Sequence, residues 1–284
     1  MQIKTVSVIG AGTMGSGIAT VSLLSGYEVY LLDIKQEFLD NGKSKIEKAL
    51  QKSADKGVIT EETRLNLLKK LHLSTDYSVV KDSQLIIEAI IENLDVKKKL
   101  LTQLSEFAVE DAIIASNTSA LSLTDIANFY KKPENVIGMH FFNPPVVMKL
   151  VELIKTEQTS AKIFDISKEF VLTLKKEPVE VKESPGFVVN RVLIPMINEA
   201  AMVFGEGVSS AEDIDKAMKL GANHPIGPLA LADMIGIDVC QAIMETLQRD
   251  FNSDKYKPAP VFSQLIKEGN LGKKTGKGFF DYTK

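Results

Sequence analysis

The chain has 284 residues, of which 44% are hydrophobic and 25% are charged, and its formal net charge is −3 at pH 7. These values are typical of a globular protein with room for two domains, and the acidic balance excludes a general attraction for nucleic acid or anionic membranes. No stretch approaches the roughly 20 apolar residues that a membrane-spanning helix needs, and the early apolar run ends too soon for a signal peptide. We therefore expect a cytoplasmic protein that catches any anionic ligand with a local cluster of Lys or Arg.

The first elements of the chain predict a strand, a glycine turn and a helix. Thr5–Ile9 is an apolar run typical of a buried strand, residues 10–15 supply the turn, and residues 16–25 predict a helix. A second strand at Glu28–Leu32 follows. Residues 36–71 are rich in Lys and Glu and are broken by a glycine, which predicts a helical hairpin inserted between strands of the sheet.

Short apolar strands alternate with helices beyond this hairpin. The predicted strands and helices are residues 85–89, 96–107, 112–115, 136–139, 150–154, 161–174 and 179–181. Such alternation favours right-handed crossovers and a mostly parallel sheet with helices on both faces. Residues 1–184 are therefore predicted to form a Rossmann-type, doubly wound α/β domain.

Helical patterns replace this alternation after residue 184. Helices are predicted at residues 187–204, 211–220, 229–251 and 262–268, so that residues 185–284 form an all-helical domain. Its apolar stripes are longer than one small domain needs, and twofold dimers are the commonest oligomers, so we expect a homodimer. The only cysteine, Cys240, excludes an intramolecular disulfide, favours a reducing compartment and lies in an apolar pattern that indicates packing.

A dinucleotide site is predicted at the glycine turn. Gly10, Gly12 and Gly15 follow the GxGxxG pattern, whose glycines permit the tight turn, the close approach of a pyrophosphate and the packing of helix on strand. The N-terminus of the helix would then receive the phosphates. Asp33 follows the second strand where a carboxylate accepts hydrogen bonds from a ribose 2′-hydroxyl, so NAD is expected rather than NADP. Lys35 would soften this discrimination, and a solvated Asp33 is the alternative.

Three histidines are candidates for acid/base chemistry. His72 begins a predicted strand and is interpreted as structural, as is His224 in a Pro/Gly loop, although a loop near a cleft leaves some room for a role. His140 follows the predicted strand 136–139, at the strand edge where open α/β sheets bind ligands. An ordinary histidine pKa of about 6.5 suits the proton transfer that accompanies alcohol oxidation by NAD. Glu152, acidic in an apolar strand, is the candidate for orienting the imidazole, but the residues alone leave this pairing open.

Longer motifs extend these features over the chain. They are VIGAGTMG at residues 8–15, ASNTS at 115–119, GMHFFNP at 138–144, MKLVE at 148–152, SPGFVVNR at 184–191 and DIDKAMKLG at 213–221. With them the chain resembles the short-chain L-3-hydroxyacyl-CoA dehydrogenases, most of all the bacterial 3-hydroxybutyryl-CoA dehydrogenases, over essentially its whole length. The resemblance implies reversible NAD-dependent oxidation of a short (S)-3-hydroxyacyl-CoA to the 3-ketoacyl-CoA by a dimeric enzyme without a metal.

The resemblance also implies roles for single residues. His140 corresponds to the general acid/base and Glu152 to its orienting carboxylate, while Ser119 and Asn190 correspond to groups that hold the substrate near the nicotinamide. The implied cofactor contacts are Gly10, Ala11, Gly12, Thr13, Met14, Gly15, Asp33, Glu92, Lys97, Ser119, Asn143 and Lys274, of which Asn143 also borders the substrate. The polyanionic CoA is assigned to the hairpin lysines Lys52 and Lys56, spaced i, i+4 on one helix face, although such lysines are usually solvated.

Two departures from the family pattern bear on the acyl pocket. Residues 143–148 read NPPVVM where relatives usually place a small residue and a proline before the valine, and Ala120 stands where a second serine is common. Two alternative functions stay open, since fold alone does not decide between them. One is a dehydrogenase of a free sugar acid such as L-gulonate, against which the hairpin lysines argue. The other is a non-catalytic cofactor-binding protein, as in some lens crystallins, against which the four catalytic candidates together argue.

Overall fold

The computed structural model describes residues 1–283, and the chain divides into two compact units at residues 183 and 184. The first unit is a sheet with helices and the second is helical. The predicted fold class is therefore confirmed. We retain residue 185 as the proposed start of the second domain.

The first unit contains an 8-stranded sheet in the order β3-β2-β1-β4-β5-β6-β7-β8. Every neighbouring pair is parallel except β6 and β7, which are antiparallel. The strands are β1 (Thr5–Ile9), β2 (Glu28–Leu32), β3 (Leu71–Ser74), β4 (Leu85–Glu88), β5 (Ile113–Ser116), β6 (Val136–Phe141), β7 (Leu150–Lys155) and β8 (Glu177–Lys182). The inner strands are almost wholly buried, which explains their continuous apolar runs, because helices cover both faces of such sheets.

Six helices connect these strands, and two of them form the predicted hairpin between β2 and β3. The helices are α1 (Thr13–Leu24), α2 (Gln36–Asp55), α3 (Glu61–Leu68), α4 (Leu94–Phe107), α5 (Leu123–Ala127) and α6 (Ala161–Thr173). In α2 the buried residues Leu39, Gly42, Ile46 and Leu50 recur every three or four positions, so that one face packs inward and the opposite face is exposed.

The second unit consists of helices α7 (Val189–Gly205), α8 (Ala211–Gly221), α9 (Pro228–Ile235), α10 (Ile237–Phe251) and α11 (Pro260–Lys267). The prediction of one helix over residues 229–251 was wrong, because Gly236 has φ +109°, which interrupts the helix between α9 and α10. Cys240 is fully buried in this unit's core, and burial raises the pKa of its thiol to about 12. Over residues 1–283 no helix is both long and apolar enough to cross a membrane.

Candidate active site

The glycine turn joins β1 to α1 more tightly than predicted. The helix begins at Thr13 rather than at residue 16, so that only residues 10–12 separate it from the strand. A Cβ on Gly10 would lie 2.5 Å from the carbonyl oxygen of Ala89, and a Cβ on Gly15 would lie 1.7 Å from that of Gly10. A Cβ on Gly12 would meet no protein atom within 4 Å. Protein packing therefore explains Gly10 and Gly15 but not Gly12, for which the close approach of a pyrophosphate stays a prediction.

Asp33 joins the end of β2 to the glycine turn. Its Oδ2 accepts the Ala11 N–H at 2.7 Å, and its Oδ1 accepts the Ile34 N–H at 2.7 Å. These contacts orient the carboxylate at the carboxyl end of the sheet, where dinucleotide-binding folds place their ligand. Asp33 is thus more than a solvated residue at a strand end, and its contact with a ribose stays a prediction.

A cavity of about 680 Å³ opens beside the glycine turn, within the volume range of small-molecule sites. Six predicted cofactor residues line it, namely Gly10, Ala11, Gly12, Thr13, Met14 and Asp33. Its remaining wall was not indicated by the sequence and includes Ile34, Phe38, Tyr77, Ile91, Val96 and Leu100. A largely apolar wall beside a carboxylate and the N-terminus of a helix suits an adenine, a ribose and a pyrophosphate, so the residues present fit NAD.

The catalytic candidates meet across the antiparallel pair of strands. β6 continues to Phe141, so His140 lies within the strand and not beyond its end as predicted. The β6–β7 register places His140 directly opposite Glu152, and opposite residues of such a pair have adjacent side chains. His140 Nδ1 lies 2.8 Å from Glu152 Oε2, and the residues are 6% and 0% exposed. The Phe142 ring packs against the imidazole with 4.5 Å between ring centroids.

The burial of this pair has chemical consequences. A carboxylate taken out of water needs a hydrogen-bond donor, and the imidazole supplies it. The contact fixes the orientation of the ring. The contact thus engages Nδ1 of His140, and the role of the imidazole toward a substrate stays a prediction.

A second cluster contains three further predicted residues. Glu92 accepts the backbone N–H of Ser119 at 2.6 Å, and the hydroxyl groups of Ser119 and Thr118 at 3.1 and 3.0 Å. The Lys97 ammonium lies 3.4 Å from the Glu92 carboxylate and 2.6 Å from that of Glu88. Lys97 is only 1% exposed, and Glu88, which the sequence did not indicate, stabilises its buried charge. The only signal that could have indicated Glu88 is an acidic residue at the end of an apolar strand.

The hairpin lysines and Asn143 are exposed. Lys52 lies in the last turn of α2, whereas Lys56 is the residue that caps the helix. The first of the two predicted lysines therefore lies inside the helix, and the second lies at its C-terminal end. Asn143 follows β6, in the connection that leads to β7.

Two predicted residues belong to the second unit. Asn190 lies in the first turn of α7. Lys274 lies in a short 3-10 helix, and its ammonium contacts both carboxylate oxygens of Asp238, at 2.6 and 2.7 Å. Their roles toward substrate and cofactor remain proposals.

The other two histidines occupy ordinary structural positions. His72 lies in β3, contacts Glu28 on the neighbouring strand and stacks on Tyr30 with 4.8 Å between ring centroids. His224 lies in the connection between α8 and α9. Among the 283 described residues, no group of three or more His, Cys, Asp or Glu side chains is placed to hold a metal ion.

Two family models match the chain in succession. The NAD binding domain of 3-hydroxyacyl-CoA dehydrogenase matches residues 5–184, and the C-terminal domain of 3-hydroxyacyl-CoA dehydrogenase matches residues 186–282. The first match includes the glycine turn, Asp33 and the His140–Glu152 pair. The second includes Asn190 and Lys274.

Individual relatives are similar over nearly the whole chain. A 3-hydroxybutyryl-CoA dehydrogenase of Clostridioides difficile is 48% identical, over 98% of this chain and 99% of its own length. The human mitochondrial hydroxyacyl-coenzyme A dehydrogenase is 44% identical, over 99% and 91%. The crystal structure of (S)-3-hydroxybutyryl-CoA dehydrogenase from Ralstonia eutropha is 46% identical and covers both chains completely, with a TM-score of 0.97.

Proposed function

Because this chain belongs to the 3-hydroxyacyl-CoA dehydrogenase family, we propose that it oxidises (S)-3-hydroxybutyryl-CoA reversibly to acetoacetyl-CoA with NAD. The observation that carries this proposal is the buried contact of 2.8 Å between His140 and Glu152 in the same unit as the glycine turn. It supports an acid/base beside a dinucleotide site, which is what alcohol oxidation requires. The relatives that carry this substrate in their names support the choice of a four-carbon acyl group.

The proton chemistry follows from the orientation of the imidazole. When bound, NAD supplies the hydride acceptor for oxidation and, once reduced, the hydride donor for the reverse reaction. During oxidation Nε2 of His140 takes the hydroxyl proton, and Glu152 stabilises the resulting imidazolium. During reduction the imidazolium returns this proton to the keto oxygen.

The remaining site residues bind and orient. Ser119 holds the substrate oxygen near His140, and the family resemblance assigns the same task to Asn190. The glycine turn with Asp33 holds the adenosine and pyrophosphate of NAD, Glu92 and Asn143 contact it elsewhere, and the family resemblance also assigns a cofactor contact to Lys274. Lys97 is buried against two carboxylates, which supports a role in placing Glu92.

The CoA moiety is assigned to the exposed face of α2. Lys45, Lys48, Lys52 and Lys56 follow each other at intervals of three or four residues, so they lie along one side of the helix, and all four are exposed. Such a stripe supplies the local positive charge that an acidic chain needs to attract the phosphates of CoA. This extends the two lysines predicted from the sequence to four.

We also propose a homodimer formed through the second unit and a cytoplasmic location. Support for the dimer comes from large apolar side chains at the surface of this unit, with Leu220, Val192 and Met234 exposed by 77%, 68% and 53%. Large apolar side chains that are exposed on one unit are typical of surfaces that bind another protein chain. Support for the location comes from a single, buried cysteine.

One assay separates the proposed function from its alternatives. Oxidation of NADH is followed with acetoacetyl-CoA and with free acetoacetate, and reduction of NAD is followed with L-gulonate. We expect turnover with acetoacetyl-CoA and efficiency lower by about 100-fold or more with the two free acids, because binding of the remote CoA contributes to the chemical step. Turnover of L-gulonate above that of the CoA ester, or no turnover at all, would overturn the proposal.

A further inference from the structure

The end of β5 and the turn that follows it contact two parts of the site. One part is the cluster of Glu88 and Glu92, and the other is the strand that carries His140. Ser116 Oγ donates to Glu88 Oε2 at 2.6 Å, and Ser119 donates to Glu92. Asn117 reaches the other side, because its Oδ1 accepts the backbone N–H of Phe141 at 2.9 Å. Its own N–H donates to the carbonyl of Glu88 at 2.8 Å. The single residue Asn117 therefore links the end of β4 to the residue that follows His140.

The contact lies where the strand ladder stops. β5 pairs with β6 only as far as Ser116 opposite Gly138, whereas β7 pairs with β6 as far as Phe141. On the β5 side, the Asn117 side chain takes over as the acceptor for the backbone N–H of Phe141. Phe141 is 2% exposed, and a buried backbone N–H without an acceptor would destabilise this part of the strand. His140 belongs to the peptide unit that this hydrogen bond fixes.

We propose that Asn117 is a positioning residue, which sets the imidazole of His140 relative to Ser119 by holding the His140–Phe141 peptide. Ser119 lies two residues further along the same turn, so one short segment fixes two groups that act on the same substrate. This inference rests on the proposed function. It goes beyond it because the proposed function assigns no task to Asn117. A displacement of about 1 Å in such an arrangement lowers turnover by about 100-fold.

The chain offers a matched control at the other end of the same strand. Asn135 precedes β6, is 8% exposed, and donates through Nδ2 to the carbonyls of Glu110 and Ala112 at 3.2 and 3.3 Å. Asn117→Ala and Asn135→Ala therefore each remove a side-chain hydrogen bond that ties one end of β6 to its neighbours. Only the first of these ends carries His140.

Both variants are compared with the unmutated chain below their melting temperatures. With acetoacetyl-CoA and NADH, we expect Asn117→Ala to lower kcat about 100-fold while the Kd of NADH, measured by fluorescence, changes by less than about twofold. Asn135→Ala should keep kcat within about threefold. Asn117→Asp, which retains an acceptor oxygen, should recover at least about a tenth of the unmutated kcat. A purely structural role would not separate kcat from NADH binding in this way.

A second readout keeps the inference independent of the substrate assignment. The chain has three histidines, so their imidazole signals are resolved by NMR of the ¹⁵N-histidine-labelled protein. Asn117→Ala should shift or broaden the His140 signals alone, and Asn135→Ala should leave all three in place. Absence of turnover in the unmutated chain would refute the proposed function but not this contact. Normal kcat and unchanged His140 signals in folded Asn117→Ala, or equal losses in Asn135→Ala, would overturn the role of Asn117.

Discussion

His140 and Glu152 should behave as one catalytic unit when they are replaced singly and together. Glutamine is close in size to either buried side chain but can neither exchange a proton near neutral pH nor carry a charge. His140→Gln removes the acid/base, and we expect it to lower kcat by about 100- to 10,000-fold. Glu152→Gln leaves the imidazole in place but removes its charged partner.

The size of the second effect can be estimated from the contact. The Nδ1–Oε2 distance of 2.8 Å is that of a hydrogen bond between the imidazole and the carboxyl group, both of which are buried. Such a bond contributes about 1.5 to 3 kcal/mol, which corresponds to about 10- to 150-fold in kcat if it is made mainly to the imidazolium. Since the proposed mechanism gives Glu152 the task of orienting His140, the double variant should be no slower than His140→Gln alone.

The assay is NADH oxidation at saturating acetoacetyl-CoA, with a melting curve for each variant. Glu180→Gln is the control, because Glu180 lies on the adjacent strand β8, is exposed and forms an ion pair with Lys155. It should leave kcat unchanged. Losses that multiply in the double variant would show that Glu152 acts independently of His140, and near-normal turnover in His140→Gln would refute the mechanism altogether.

Four other features of the chain give expectations that single measurements check. The kcat/KM for NADH should exceed that for NADPH by at least about tenfold, because the Asp33 carboxylate repels a 2′-phosphate. Asp33→Ala should lower this ratio. Equal kcat/KM values for the two cofactors in the unmutated chain would contradict the assignment of Asp33 to the ribose. Lys52→Glu should raise the KM for acetoacetyl-CoA about tenfold at unchanged kcat. Lys43→Glu, on the opposite side of α2, should leave this KM unchanged. An equal rise in KM in both variants would exclude the row of exposed lysines on α2 as the CoA contact. Cys240 should resist a thiol reagent at pH 8 until the chain is denatured, because burial raises its pKa to about 12, and rapid labelling of the native chain would disprove its burial. Light scattering at micromolar concentration should give twice the monomer mass, and a monomer there would refute the dimer.

The glycine turn and its flanking strands could be predicted because their signals are local. Thr5–Ile9 is buried on both faces, Gly10 needs a positive φ, and Asp33 comes directly after an apolar strand. Each of these features can be recognised from residues that are consecutive in the sequence. The apolar cavity wall could not be predicted in the same way. Ile34 and Ile91 are exposed by 68% and 67% beside the cavity, and only the arrangement of the strands brings their loops together.

The burial of the charged residues Lys97 and Glu88 could not be predicted from the sequence either. Lys97 lies in an amphipathic helix where a lysine is ordinarily solvated, yet it is 1% exposed. Its partner Glu88 lies at the end of β4, opposite Ser116 in the β4–β5 register. The pair forms because the carboxyl end of a parallel strand and the start of the next helix are neighbours in space, and the helical pattern contains no trace of this. Gly236 is a second feature that could not be predicted. One glycine inside a helical pattern is tolerated in many helices, but here Gly236 ends α9.

The pairing of His140 with Glu152 depends on the direction of one strand, and this direction was encoded in the sequence. A parallel neighbour of β6 would require a crossover of a dozen or more residues, whereas residues 142–149 form the whole connection to β7. The short connection therefore demands an antiparallel pair. Within that pair the register is fixed by burial, because a slip of one residue would turn Glu152 to the other face of the sheet and bring an apolar side chain opposite the imidazole. The exception to the parallel sheet thus lies at the position where the proposed acid/base meets its carboxylate.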